Sequence, residues 1–106
     1  MKITVTLPGG ETVDVNAKPG STVMESIRVA GLPIRAECGG AMACATCHVM
    51  VDPAWTNKIG TAGDEESDLL GESDYATDNS RLACQIIAKD SLNGLCIILQ
   101  LDAFEG

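Results

Sequence analysis

Aromatic residues are nearly missing from this chain: its 106 residues include one Trp, one Tyr and one Phe. With so few rings, Trp55 is expected to pack against its neighbours rather than to join an aromatic binding face. Histidine is scarcer still, occurring only as His48. Hydrolase or transferase chemistry therefore lacks a nucleophile–base pair, because the one imidazole sits directly beside a cysteine, Cys47. Basic residues number 7 against 15 acidic ones, a formal charge of -8. Nucleic acid would be repelled by such a surface. A basic protein surface would be steered towards it over long range. Long apolar runs are lacking too. The longest, Leu95 to Leu99, falls far short of the roughly 20 residues that span a bilayer, so no membrane association is expected. Met1 to Leu7 alternates like a strand and lacks a signal peptide's apolar core, which points to the cytoplasm. There is no internal repeat or low-complexity tract. One domain over residues 1–106, acting as a monomer, is the expectation at this length.

What is present is a pattern of short elements. Lys2 to Leu7 and Glu11 to Asn16 both alternate apolar and polar side chains, and Pro8-Gly9-Gly10 between them is turn chemistry, which predicts an N-terminal hairpin. Thr22 followed by Glu25 reads as a capping box, with Val23, Ile27 and Ala30 at helical spacing and Gly31 as a stop. That predicts one amphipathic helix over residues 22–30, packed across the hairpin. An extended segment is expected at Val49 to Val51, broken by Asp52-Pro53, and a short helix at residues 53–59. A second helix over residues 61–70 carries acidic residues in its first turn, where the macrodipole favours them. Further strands are expected near residues 83–87 and 95–101. Hairpin, helix and then more strands with short helical insertions indicate an α+β protein with a mixed sheet and one main helix across it, in a β-grasp order.

The chemistry lies in the cysteines. Cys38, Cys44, Cys47 and Cys84 are spaced C-x5-C-x2-C-x36-C. Thiolates are ligands of soft metal centres, and four can hold a 2Fe–2S cluster. Gly39, Gly40, Ala41, Ala43, Ala45 and Thr46 are small enough to let backbone wrap closely around an inorganic core. In a reducing compartment, clustered cysteines suggest metal before disulfide, and an odd count of five disfavours full pairing. Structural zinc is the main rival, since four thiolates also make a tetrahedral zinc site. Zinc ribbons usually pair two knuckles, however, and Cys84 stands alone. A Rieske centre needs two histidines. No βαβ pattern surrounds Cys44 and Cys47, as a thioredoxin-like C-x-x-C would require.

Three strings narrow the reading: Cys38-Gly39-Gly40, Cys44-Ala45-Thr46-Cys47-His48-Val49 and Ser80-Arg81-Leu82-Ala83-Cys84-Gln85-Ile86. Together with the acidic segment from Asp64 to Leu70, they resemble the 2Fe–2S ferredoxins that include adrenodoxin and putidaredoxin. The likeness extends over nearly the whole chain. It implies a β-grasp fold, one 2Fe–2S cluster held by Cys38, Cys44, Cys47 and Cys84, and one-electron shuttling without enzymatic bond chemistry. It also implies partners that dock through basic surfaces: an FAD-dependent, NAD(P)H-oxidising reductase as donor and a haem monooxygenase of the cytochrome P-450 class as acceptor. The alternative acceptor is iron–sulfur cluster assembly. Assembly ferredoxins of bacteria commonly carry other residues where Gly39-Gly40 stand, which favours the monooxygenase.

The same resemblance assigns docking roles to Glu65, Glu66 and Asp68 on the acidic helix and to Glu37 before the first ligand. It implies that His48 links the cluster loop to the rest of the fold, and that Arg81 ties that loop down by a salt bridge or carbonyl contacts. Cys96, inside an apolar strand, is expected to be a small buried hydrophobe. Phe104 near the C-terminus is a weak substitute for the terminal aromatic of putidaredoxin-like chains.

Overall fold

The computed structural model describes residues 1–35, 47–60 and 62–104. Strand β1 (Lys2–Thr6) and strand β2 (Thr12–Asn16) form the expected antiparallel hairpin, with Ile3 opposite Val15 and Val5 opposite Val13. The turn closes through Gly10, whose N–H donates to Leu7 O at 2.8 Å and whose φ of 93° suits glycine. Helix α1 (Val23–Val29) follows. Its first turn is capped by Thr22, whose hydroxyl oxygen accepts from Glu25 N–H at 3.1 Å. Val23, Met24 and Ile27 lie one helical turn apart on the buried face.

Strand β3 (His48–Val51), helix α2 (Thr56–Ile59) and helix α3 (Asp64–Leu70) come next, then strand β4 (Ser80–Leu82) and strand β5 (Leu95–Leu99). One five-stranded sheet results, in the order β2-β1-β5-β3-β4. Only β1 and β5 run parallel; the other pairs are antiparallel. The register places Ile3 beside Leu95 and Val5 beside Ile97, while Val49 and Val51 face Leu99 and Ile97. Those side chains, with Leu82, cover one sheet face and merge with the apolar side of α1 into the core. This is the mixed sheet and helix of the expected α+β β-grasp. No helix among the described residues is long and apolar enough to cross a membrane.

Three local expectations need correcting. The segment predicted as a strand at residues 83–87 is a strand three residues earlier, at Ser80–Leu82, followed by a 3₁₀ turn over Ala83–Gln85. Ser80 looks like a turn residue in sequence, yet it and Arg81 are both buried because each finds a buried polar partner. Helix α2 starts at Thr56 rather than at residue 53, because Asp52 first forms a turn, its Oδ1 accepting from Ala54 N–H at 2.9 Å. The last strand, expected over residues 95–101, stops at Leu99, and Leu101–Ala103 is a 3₁₀ turn.

Candidate metal centre

Antiparallel pairing of β3 with β4 sets His48 opposite Leu82. One step further, beyond the strand ends, Ala83 N–H donates to Cys47 O at 3.0 Å. Cys47 therefore leads into β3 just where Cys84 leaves β4, and two cysteines 37 positions apart in sequence lie in neighbouring segments at one end of one ladder. Both are buried, at 1% and 5% exposure. The Gln85 side-chain amide donates towards Cys84 Sγ at 3.5 Å. Buried sulfur facing an N–H donor suits a thiolate, whose charge such donors stabilise and whose redox behaviour they tune. The residues present thus fit a thiolate-held cluster. Cys38 and Cys44, and the docking candidate Glu37, lie outside the described residues.

Cys96 is set apart from this end of the ladder. Along β5, Leu95, Ile97 and Leu99 point into the core, whereas Cys96 and Ile98 take the opposite face. Cys96 is half-buried there, not enclosed as expected, and its thiol donates to Gly94 O at 3.4 Å.

Two polar devices flank the paired segments. His48 is fully buried, with Nδ1 3.1 Å from Asp102 Oδ1 and Nε2 2.7 Å from Ser80 Oγ. A carboxylate only accepts, so Nδ1–H donates to Asp102. Ser80 Oγ already accepts Thr77 N–H at 2.8 Å, which leaves its O–H to donate to Nε2. Ser73 Oγ–H donates to Asp102 Oδ2 and completes the group. The linking role expected of His48 thus gains its partners: the start of β4 on one side and the C-terminal 3₁₀ turn on the other. Sequence reasoning missed Asp102, Ser73 and Ser80. Asp102 stands 54 residues from His48, and no local pattern connects them.

The second device is an ion pair. Arg81 Nε donates to Glu66 Oε2 at 2.6 Å and Nη2 to Oε1 at 3.3 Å, while Leu82 N–H reaches Oε2 at 2.8 Å. Arg81 also donates to Gly60 O at 3.1 Å and to Gln85 O at 3.4 Å. It therefore holds the backbone on the far side of Cys84, while the loop it is expected to tie down lies outside the described residues, over 36–46. Glu66, by contrast, does not fit the docking role. At 3% exposure, it faces inward with Leu70 one turn later, and its carboxylate is consumed by Arg81 and the β4 backbone. Asp64, Glu65 and Asp68 occupy the exposed side of the same helix.

Comparison with known proteins agrees with this geometry. The family model for the 2Fe-2S iron-sulfur cluster binding domain matches residues 7–89. The 2Fe-2S ferredoxin CtmE of Castellaniella defragrans is 40% identical over 98 residues, 92% of each chain. Among solved structures, a ferredoxin from Rhodopseudomonas palustris HaA2 superposes with a TM-score of 0.91 at 38% identity, covering 97% of this chain and 99% of that one. A chain of the covalent putidaredoxin reductase–putidaredoxin complex gives 0.88 at 32% identity, covering 93% and 97%. With its mixed sheet, its two buried cysteines at one ladder end and these relatives, the chain belongs to the 2Fe–2S ferredoxins of the putidaredoxin type, electron carriers that bind a 2Fe–2S cluster and are not enzymes.

Proposed function

We propose that this ferredoxin carries single electrons from an FAD-dependent, NAD(P)H-oxidising reductase to a haem monooxygenase of the cytochrome P-450 class. Cys38, Cys44, Cys47 and Cys84 are the proposed cluster ligands. The observation that carries this reading is the convergence of buried Cys47 and Cys84 at one ladder end, a few residues from an acidic helix with exposed carboxylates. When bound, the cluster supplies one reversible electron. The chain's residues do the rest: Gln85 donates to Cys84 Sγ, Arg81 fixes the backbone around Cys84, and Asp64, Glu65 and Asp68 offer charge to a partner. A reductase as donor is supported by the solved complex between putidaredoxin and its reductase. The protein acts as a single-domain monomer in the cytoplasm, docking basic surfaces of both partners.

Electron paramagnetic resonance before and after dithionite tests the cluster, with a signal expected only after reduction. Stopped-flow reduction by a flavoprotein reductase tests the partner. Raising the ionic strength from about 0.01 to about 0.15 M shortens the Debye length from roughly 30 to roughly 8 Å, so reductase binding should weaken. Binding that is indifferent to salt would count against an acidic docking face.

A further inference from the structure

A second charged feature lies beside the acidic helix and has the opposite sign. Lys58, Arg81 and Lys89 line a groove of about 190 Å³. They are three of only seven cations in a chain of charge -8. No carboxylate lines the groove among the described residues. Arg81 is neutralised by Glu66, which leaves Lys58 and Lys89, both exposed, as its charges without an ion-pair partner among the described residues. Lys58 is held over the Trp55 ring, 4.9 Å from its centroid. Asp90 follows Lys89 in the chain and opens the next 3₁₀ turn, outside the groove lining. Ile87 stands half exposed at the groove, a large apolar side chain next to the two ammonium groups.

The groove continues into a neighbouring one that shares Arg81 and Gln85 and is lined by Asp64 and Glu65. The surface is therefore dipolar, with lysines on one side of Gln85 and carboxylates on the other. Gln85 in turn contacts Cys84 Sγ, so a partner seated across the boundary lies one side chain from a proposed cluster ligand. A uniformly acidic face attracts a basic partner but tolerates rotation about the contact. Adjacent patches of opposite sign fix the rotation, since only one orientation pairs both.

We propose that Lys58 and Lys89 receive a carboxylate of the reductase while Asp64 and Glu65 pair with its basic residues. The inference rests on the electron-transfer reading above and adds to it a second, cationic half of the docking surface. Charge reversal separates this from steering by net charge, because the two predict opposite signs. K58E/K89E makes the chain more acidic, so attraction to a basic partner alone would tighten binding. A specific ammonium–carboxylate contact would weaken it.

The test measures the reductase's apparent affinity for the wild type, K58E/K89E, K89E and K2E by stopped flow, using putidaredoxin reductase at low ionic strength. K2E repeats the charge change outside the groove lining, at Lys2 on β1, which pairs loosely with Asp14 at 3.8 Å. The double variant is expected to bind roughly three- to tenfold more weakly. K89E, which leaves the Lys58–Trp55 contact intact, should move the same way by a smaller factor. K2E should bind as tightly as the wild type or tighter. Unchanged or tighter binding by K58E/K89E, with its 2Fe–2S absorbance intact, overturns the proposal. A wild-type protein that shows no resonance signal after dithionite removes the electron-transfer reading instead, and the inference with it.

Discussion

Replacing Glu66 by Gln is the sharpest perturbation of the site that leaves every cysteine in place. The glutamine keeps a carbonyl oxygen near Leu82 N–H but removes the negative charge from beside a buried guanidinium. Arg81 and Glu66 side chains are 10% and 4% exposed, so water replaces little of the lost interaction. Breaking one partner of a buried pair usually costs about 3–5 kcal/mol. Arg81 keeps its bonds to Gly60 O and Gln85 O, which places E66Q near the lower end, at about 3 kcal/mol. Cluster loss makes unfolding irreversible, so the useful quantity is the rate of visible bleaching at fixed temperature. If the pair is broken in the transition state, about 3 kcal/mol corresponds to roughly a hundredfold faster bleaching. A double-mutant cycle with R81M adds a second check: E66Q/R81M should be less unstable than the two single losses added, because no charge is left stranded. Bleaching of E66Q within about threefold of wild type, together with weaker reductase binding, would return Glu66 to the docking surface and refute the buried-pair argument.

Cys96→Ala should retain the full iron content and the reduced-state resonance signal, whereas Cys84→Ala should lose both; iron analysis of the purified variants decides it. His48→Ala strips the hydrogen bonds from Ser80 and Asp102 and opens a cavity, so stability should fall by about 2–4 kcal/mol, read again as faster thermal bleaching. Thr22→Ala removes the α1 cap and should cost about 1 kcal/mol, with Thr22→Ser nearly neutral; denaturant-induced bleaching compares the two.

Sequence legibility followed the range of the interactions. The hairpin and α1 could be read because their signals are local: alternation, a glycine turn and a cap three residues from its acceptor. The proposed ligand set was legible as a spacing, and the structure adds why Cys47 and Cys84 lie at one ladder end. Elements set by distant partners were misread. Ser80 reads as part of a polar turn until His48 is placed against it, and the salt bridge expected of Arg81 has no named partner until Glu66 is placed. Glu66 shares a helix with Asp64, Glu65 and Asp68, and composition cannot tell the four apart. Helical geometry can, since Glu66 lies one turn before buried Leu70 while the others project outward. The partner that makes a buried carboxylate tolerable is 15 residues away.

The placement of Glu66 also answers a problem posed by the topology. β4 is three residues long, lies at the sheet edge, and must still hold the segment that carries Cys84. Its inner edge is paired with β3, as Ala83 N–H to Cys47 O shows. Leu82, opposite His48, turns its N–H the other way, outward from the ladder. In a buried strand such an orphan donor costs about 1–3 kcal/mol. Glu66 Oε2 takes that N–H as a neighbouring strand would, and its charge holds Arg81, which grips the backbone again at Gln85. On the inner side, Ser80 is held by His48. A strand too short to be secured by its ladder is thus secured by side chains from both directions, and Cys84 lies between the grips on Leu82 N–H and Gln85 O. An outward-facing Glu66 could bind a partner, but it would leave the Leu82 N–H unpaired and the Arg81 charge uncompensated, which is why this one carboxylate of the acidic helix is spent inside.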